Sequence, residues 1–139
     1  MAKIGKFPLP PPGQSGWPWT SKFERPPDGR TEELTWPAIT VITPSFNQSQ
    51  YLEETIRSVL LQGYPRLQYI VIDGGSTDGS VALIQKYSSW LSAWVSEKDR
   101  GQSHAINKGF DIARGDVIGW LNSDDVYAEG ALHHVGRYR

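Results

Sequence analysis

The sequence predicts an α/β fold in which a mainly parallel sheet is flanked by helices. Three apolar, β-branched runs, Ile39–Thr43, Tyr69–Ile72 and Val117–Leu121, each end abruptly in polar and turn-forming residues. This is typical of buried parallel strands that present a loop at their carboxyl ends. Segments with helical periodicity separate the runs, and this alternation indicates right-handed crossovers within one sheet.

A proline-rich arm precedes this pattern. Eight of the ten prolines in the 139-residue chain lie at or before Pro37. They are Pro8, Pro10, Pro11, Pro12, Pro18, Pro26, Pro27 and Pro37. Because proline removes a backbone donor and disfavours helix before it, we expect residues 1–37 to form an extended or disordered arm. Residues 38–139 are long enough for a single domain.

Aromatic residues punctuate the arm. They are Phe7, Trp17, Trp19, Phe23 and Trp36. We favour a linker whose aromatic side chains dock on the domain or on a neighbour. The alternative is a proline-rich ligand for an aromatic-lined groove.

The first helix is expected at Gln50–Gln62, after the strand Ile39–Thr43. Its apolar face comprises Leu52, Ile56, Val59 and Leu60. Glu53 and Glu54 are assigned to its first turn, where the helix dipole favours acidic groups. Gly63 and Pro65 then end the helix.

The second strand, Tyr69–Ile72, leads into a short helix at Ser80–Tyr87. This helix carries Val81, Ile84 and Tyr87 on one stripe. A third strand is expected near Ala93–Ser96.

The next helix is expected at Gln102–Ala113. Its apolar side comprises Ala105, Ile106, Gly109, Phe110 and Ala113. Gly115 is its expected stop, with Arg114 in the last turn. After the fourth strand, Val117–Leu121, a final helix begins near Glu129 and continues to Arg139.

Composition excludes several functional classes. The net charge of -1 gives no electrostatic case for binding nucleic acid or an anionic membrane. The absence of cysteine excludes disulfides, thiolate metal sites and cysteine nucleophiles. No apolar run approaches the roughly 20 residues of a membrane span, and no signal-peptide core follows the charged start. We expect a cytoplasmic protein without a transmembrane segment, for which peripheral membrane contact stays open.

Carboxylates follow two of the predicted strands. Asp124 and Asp125 come directly after strand four, and such oxygen ligands suit Mg²⁺ or Mn²⁺ together with substrate phosphates. Asn-Ser-Asp-Asp alone would favour a solvated turn or a helix cap, but its position after an apolar strand favours a metal site. Asp73 ends strand two, and a carboxylate there needs a partner such as a base or ribose donor.

Loops after the first and third strands offer further candidates. Pro44 and Asn47 are expected to end strand one and to wall one side of a base pocket. Arg100, in the run Lys98-Asp99-Arg100, stands beside a helix N-terminus and is a candidate diphosphate contact. An ordinary charged loop explains that run equally well. The spacing of His104, His133 and His134 matches no metal motif.

With these residues in place, the chain resembles the family 2 glycosyltransferases, which have the Rossmann-like GT-A fold. The likeness runs from about Ile39 to the C-terminus. It rests on Thr43–Asn47, on Asp73–Asp78, on Gly101–Ala105 with Asn107 and Gly109, and on Asn122–Asp125. The glycine patterns GxGxxG and GxxxxGK[ST] are absent, which argues against a dinucleotide-dependent dehydrogenase and a P-loop NTPase.

The resemblance implies a nucleotide-diphospho-sugar donor, with a UDP-sugar as the leading candidate, and a bound Mg²⁺ or Mn²⁺. In the family, the position of Asp73 contacts the base, and the loop at Pro44–Asn47 lines the nucleotide pocket. The positions of Asp124 and Asp125 contact the ribose and coordinate the metal. The family motif usually opens with a third Asp, and Asn122 stands there in this chain, suited to bonding a ribose hydroxyl.

The resemblance also implies a longer enzyme. Family members continue beyond this point into an acceptor-binding half that supplies the general base for inverting transfer. We therefore expect the GT-A fold to be incomplete at the C-terminus, the base to be absent, and a partner chain to be one way of completing the fold. The acceptor and the sugar are not readable from the sequence.

Three other functions compete with a metal-assisted glycosyltransferase. One is a non-catalytic nucleotide-sugar-binding module. Another is a truncated remnant, because an incomplete sheet leaves an unpaired edge. A nucleotidyltransferase shares the topology, but its glycine-rich, basic loop after strand one is missing here.

Overall fold

The computed structural model describes residues 6–21, 23 and 36–138. Part of the predicted arm, including Pro26 and Pro27, lies outside these residues, as does Arg139 at the end of the predicted final helix. The described chain forms the elements β1 (Ile39–Ser45), α1 (Ser49–Leu60), β2 (Leu67–Asp73), α2 (Ser80–Tyr87), β3 (Ala93–Ser96), α3 (Gln102–Ile112), β4 (Val117–Trp120) and α4 (Ala131–Tyr138).

The four strands form one parallel sheet in the order β3-β2-β1-β4. The chain therefore moves outward from β1 through β2 to β3 and then returns to place β4 on the other side of β1. This topology confirms the predicted α/β class. It also creates a switch point between β1 and β4, where open α/β sheets bind ligands at the carboxyl ends of their strands.

Two apolar clusters hold helices to opposite faces of the sheet. The larger cluster joins side chains of β1 and β2 to those of α1, α2 and α4, including Leu52, Ile84 and Leu132. The smaller cluster packs Ile42 and Ile70 against Ala105 of α3. The result is a three-layer arrangement in which the strand ends remain accessible.

Pro44 lies inside β1 rather than ending it, and pairs with Ile72 of β2. Pairing of β1 with β4 stops at Ile42, whose carbonyl accepts the amide hydrogen of Leu121 at 2.9 Å. Backbone groups alternate between neighbours along a strand, so the missing N–H of Pro44 faces the side where β4 has already ended. A proline is therefore tolerated in a central strand.

The expected position of Glu53 and Glu54 in the first turn of α1 is wrong, because the helix begins at Ser49 and has no acidic residue there. Instead, the buried Glu53 accepts hydrogen bonds from the Tyr87 hydroxyl at 2.6 Å and from Lys86 Nζ at 2.9 Å. The acid therefore joins α1 to α2, and tertiary contact rather than the helix dipole explains it.

Two expectations about α3 are also wrong. Phe110 is 42% exposed rather than part of the apolar side. The helix ends at Ile112, before Arg114, and Ala113 follows it with extended backbone angles. Gly115 serves instead as a close contact, because a Cβ there would lie 2.9 Å from the carbonyl oxygen of Ala38.

The aromatic residues of the arm dock on the domain wherever the structure describes them. Phe7 packs edge-on against Tyr87 and Trp90. Phe23 and Trp36 both contact the ring of His133 in α4. These contacts support the linker interpretation of the arm.

Candidate functional site

A cleft of about 670 Å³ opens at the carboxyl ends of the four strands. Every loop that leaves the sheet at this edge contributes to it. Its lining comprises Pro44, Ser45, Phe46, Gln48, Gly74, Gly75, Lys98, Asp99, Gly101, Gln102, Ala105, Asn122, Ser123 and Asp124. The cleft spans the switch point of the sheet, and its size suits a small-molecule ligand.

Asn47 joins the loop after β1 to the loop after β2. Its side-chain oxygen accepts the backbone amide hydrogen of Thr77 at 2.9 Å, and its backbone amide donates to Ser76 Oγ at 2.8 Å. Its φ of 51° lies in the left-handed region that asparagine tolerates. Asn47 is outside the described lining and shapes the wall that Pro44 and Phe46 form.

Asp73 lies beneath the cleft rather than in its lining. Its carboxylate is fully buried and accepts four hydrogen bonds, from the amides of Gly75 and Ser76 and from the hydroxyls of Ser76 and Ser96, at 2.6–3.1 Å. Protein donors thus satisfy a buried charge that would otherwise be costly. Asp73 holds the turn after β2 against the end of β3.

Gly74 lets the loop after β3 approach that turn. A Cβ at Gly74 would lie 2.9 Å from Oδ1 of Asp99, so a larger side chain would displace this carboxylate. Asp99 in turn accepts the amide hydrogen of Gly101 at 2.9 Å. The loops after β2 and β3 therefore form one continuous surface at the base of the cleft.

The N-terminus of α3 faces the cleft, with Gly101 and Gln102 in the lining. Gly101 has a φ of 110°, which favours glycine at this turn into the helix. Lys98 also lines the cleft, whereas Arg100 lies outside the described lining and its amide donates to His104 Nδ1 at 2.8 Å. A lysine and a helix N-terminus on one side create a favourable environment for an anion.

The acidic loop, residues 122–130, contributes another part of the lining. Asn122 and Asp124 are in the lining, and the Asn122 side-chain oxygen accepts a hydrogen bond from Gln102 Nε2 at 2.6 Å. Asp125 is exposed and outside the lining, and its amide donates to the Asn122 carbonyl at 3.0 Å. The turn thus directs only one of the two adjacent carboxylates into the described lining.

The donor set fits a hard cation that is shared with a ligand. Among the residues that the structure describes, no three His, Cys, Asp or Glu side chains are grouped to hold a metal by themselves. The lining does contain the carboxylates of Asp99 and Asp124. Because Mg²⁺ usually binds through one or two carboxylates plus waters and substrate phosphates, this set suits a cation that arrives with a diphosphate.

The structure thus brings Pro44, Asn122 and Asp124 together in the cleft, whereas four predicted site residues lie outside its lining. These four are Asn47, Asp73, Arg100 and Asp125. Sequence reasoning missed Gln102 and did not separate Lys98 from Arg100. Gly101 could have indicated which of these residues line the cleft, because the turn before a helix determines which neighbouring side chain faces the sheet edge.

Residues 40–137 match the family model described as glycosyl transferase family 2. The chain belongs to this family. It is 41% identical over 93 residues to an uncharacterized glycosyltransferase of Mycobacterium tuberculosis, a match that covers 66% of this chain and 36% of that protein. It is 34% identical over 102 residues to one of Haemophilus influenzae, covering 71% of this chain and 41% of that protein. The chain therefore spans less than half the length of these curated relatives.

Solved structures with a GT-A fold resemble the chain over the same region. The mannosyltransferase PcManGT of Pyrobaculum calidifontis, solved with GDP-Man and Mn²⁺, has a TM-score of 0.65 and 28% identity, covering 78% of this chain and 34% of that one. TarS of S. aureus, solved with UDP, has a TM-score of 0.64 and 25% identity, covering 71% of this chain and 31% of that one. These matches confirm the GT-A prediction. No helix in the described ranges is long and apolar enough to span a membrane.

Proposed function

We propose that the chain binds a nucleotide-diphospho-sugar and forms the donor-binding part of a glycosyltransferase. The observation that carries this proposal is the cleft at the switch point of the sheet. Its lining combines the carboxylate of Asp124 with Lys98 and the N-terminus of α3. A carboxylate can bind the cation while a lysine and a helix N-terminus bind the phosphates, so this lining suits a metal-bound diphosphate.

Each wall has a separate task in donor binding. The half-exposed ring of Phe46 offers a surface on which a nucleobase stacks, and Pro44 closes the same side. In this proposal the Asn122 side chain bonds a ribose hydroxyl, and Asp73 fixes the turn after β2. Lys98 and the N-terminus of α3 neutralise the diphosphate.

We propose that Asp124, which lines the cleft, and the adjacent Asp125 hold Mg²⁺ or Mn²⁺. When bound, the metal supplies Lewis-acid stabilisation of the negative charge on the diphosphate. In the transfer, the acceptor hydroxyl oxygen bonds to the anomeric carbon as the bond to the diphosphate oxygen breaks. The nucleoside diphosphate leaves, the hydroxyl proton passes to a base, and we propose that the configuration inverts.

Titration calorimetry tests the donor site directly. Purified chain is titrated with UDP and with GDP, each with and without MnCl₂, and the titrations are repeated on Asp124→Asn. We expect Mn²⁺-dependent binding that the substitution weakens at least about tenfold, because a charged ligand to the cation is lost. Asp111→Asn, which removes an exposed charge from α3, is the matched control and retains wild-type affinity. Absence of nucleotide binding by folded wild-type chain contradicts the proposal.

A second candidate is nucleotide-sugar binding without transfer. The lining favours it in one respect, since the described cleft residues include no histidine or glutamate and only the carboxylates of Asp99 and Asp124. Incubation with UDP-glucose and Mn²⁺ distinguishes the two candidates. Release of UDP with transfer of the glucosyl group to water or to an added sugar acceptor indicates transfer, and binding without release of UDP favours the binding module.

A further inference from the structure

The acidic loop is fastened to α1 by a row of polar side chains. Thr55 Oγ1 donates to the Asp125 carbonyl at 2.6 Å. The amide of Tyr127 donates to Ser58 Oγ at 3.2 Å, and Gln62 Nε2 donates to the Ala128 carbonyl at 2.8 Å. Thr55 and Ser58 are three residues apart and share one face of α1, and Gln62 lies in the turn that follows the helix. All three are fully buried.

The N-terminal arm contacts the same loop at two points. The indole Nε1 of Trp17 donates to the Tyr127 carbonyl at 2.7 Å, across 110 positions of sequence. Further along the arm, the Phe23 ring lies close to Gly130, because a Cβ added to this glycine would be only 2.9 Å from Cε1 of the ring. The arm therefore contacts the loop near its centre and at its end.

Arg57 anchors the arm beside these contacts. It is 3% exposed and donates to three arm carbonyls, those of Pro8 at 2.8 Å, Pro18 at 2.9 Å and Trp19 at 2.8 Å. Its guanidinium also lies 5.1 Å from the centre of the Phe7 ring. A buried guanidinium with this many partners fixes the backbone on both sides of Trp17.

We propose that the arm, which lies outside the cleft lining, positions the carboxylate of Asp124 in the donor site. This inference rests on the proposed function. Asp124 lies between Asn122, which bonds to Gln102, and Asp125 and Tyr127, whose carbonyls accept from Thr55 and Trp17. Trp17 and Thr55 are thus positioning residues that act on the metal-binding carboxylate through the backbone of its loop.

Two substitutions remove the donor to the acidic loop, and the second, from threonine to valine, also keeps the shape of the side chain. Trp17→Phe removes the indole donor, and Thr55→Val removes the hydroxyl. Trp19→Phe and Thr55→Ser are the matched controls, because the first alters an arm tryptophan that contacts Arg57 instead of the loop. The second retains the hydroxyl. All four variants are compared with the full wild-type chain at one temperature below their unfolding transitions.

Two measurements follow the loop and the site. In calorimetry with UDP, we expect Trp17→Phe and Thr55→Val to reduce Mn²⁺-dependent affinity about threefold to tenfold, as for one lost hydrogen bond. Affinity for UDP without Mn²⁺ stays unchanged. In amide hydrogen exchange, the segment 122–128 exchanges faster in both variants. The two control variants keep wild-type affinity and wild-type exchange in this segment.

Unchanged exchange in residues 122–128 of Trp17→Phe and Thr55→Val overturns the inference. So does an equal loss of Mn²⁺-dependent affinity in Trp17→Phe and Trp19→Phe, since that result indicates general destabilisation. If wild-type chain binds neither UDP nor GDP with Mn²⁺, the proposed function fails. The exchange measurement then still decides whether the arm and α1 fasten the loop. If Trp17→Phe does not fold, Thr55→Val against Thr55→Ser carries the same comparison.

Discussion

At the scale of single residues, glycines set the distances between α3 and the sheet. Gly109 lies on the buried side of α3, directly over Ile42 of β1. Gly115 donates its amide hydrogen to Thr40 Oγ1 at 2.9 Å and leaves no room for a side chain. The helix can therefore approach the sheet closely, which brings its N-terminus to the wall of the cleft.

We expect Gly109→Ala to destabilise the fold by about 1–3 kcal/mol, as overpacking of a buried contact does. The added Cβ would lie 2.5 Å from Cγ2 of Ile42, so α3 or the isoleucine must move. Urea denaturation followed by circular dichroism measures the change in the free energy of unfolding. Gly119→Ala in β4 is the control, because a Cβ there meets nothing within 4 Å. Equal stability of the two variants contradicts the close-contact role of Gly109.

At the scale of elements, one carboxylate serves the starts of two helices. Asp78 accepts the amide hydrogen of Ser49 at 2.9 Å, at the first residue of α1. It also accepts the amide and hydroxyl hydrogens of Ser80 at 3.0 and 2.7 Å, at the first residue of α2. The same side chain thus caps both helices and ties the loops behind the cleft.

These hydrogen bonds predict acid sensitivity. Desolvation raises the pKa of Asp78, but the hydrogen bonds from Ser49 and Ser80 outweigh it and lower the pKa from 3.8 to about 2. Because the pKa is lower in the folded state, the stabilisation is present above pH 3.8 and is lost as the pH falls toward 2. We expect Asp78→Asn to flatten this part of a stability–pH profile measured by urea denaturation. A variant profile parallel to wild type between pH 2 and 5 contradicts this assignment.

Hydrophobic periodicity and the positions of glycine and proline predicted these helices and strands well. The predictions that were wrong have physical reasons. All four strands and four helices occur in the predicted order, because each run buries one face or both. Glu53 was misassigned because its partner, Tyr87, comes from another helix. Pro44 was misassigned because only the sheet order shows that β4 ends beside it.

The site was harder to predict from the sequence than the fold, for a related reason. Position after a strand placed Asn122 and Asp124 at the correct edge. Whether a side chain then faces the cleft depends on the turn that follows, which separates Asp124 from Asp125 and Lys98 from Arg100. Those turns are fixed by contacts between loops, such as Gly74 with Asp99, that no single segment encodes.

At the scale of the whole molecule, Arg57 joins the arm to the domain. Besides the three arm carbonyls, it donates to the Tyr87 hydroxyl at 3.0 Å, and that hydroxyl donates to Glu53. Burial, together with the hydrogen bond to Glu53, raises the pKa of Tyr87, so its hydroxyl stays protonated and keeps donating at neutral pH. One continuous network thus links the arm, α1 and α2.

We expect Arg57→Ala to release the arm and to lower the free energy of unfolding by about 3 kcal/mol, because several buried acceptors lose their donor. Trp17 and Trp19 then become exposed to water, and the tryptophan emission maximum shifts to longer wavelength. Fluorescence spectra and urea denaturation measure the two effects. Arg114→Ala, an exposed arginine after α3, is the control. Wild-type emission and stability in Arg57→Ala contradict the anchoring role.

The bond between Trp17 and Tyr127 has a consequence for the order in which the protein assembles. Trp17 leaves the ribosome before every strand of the sheet, whereas Tyr127 follows all four. The arm can contact Arg57 of α1 early, but the bond from Trp17 cannot form until the acidic loop has emerged. The contact between the arm and the acidic loop therefore joins two segments that are synthesised far apart, and the proposed donor site is complete only when they meet.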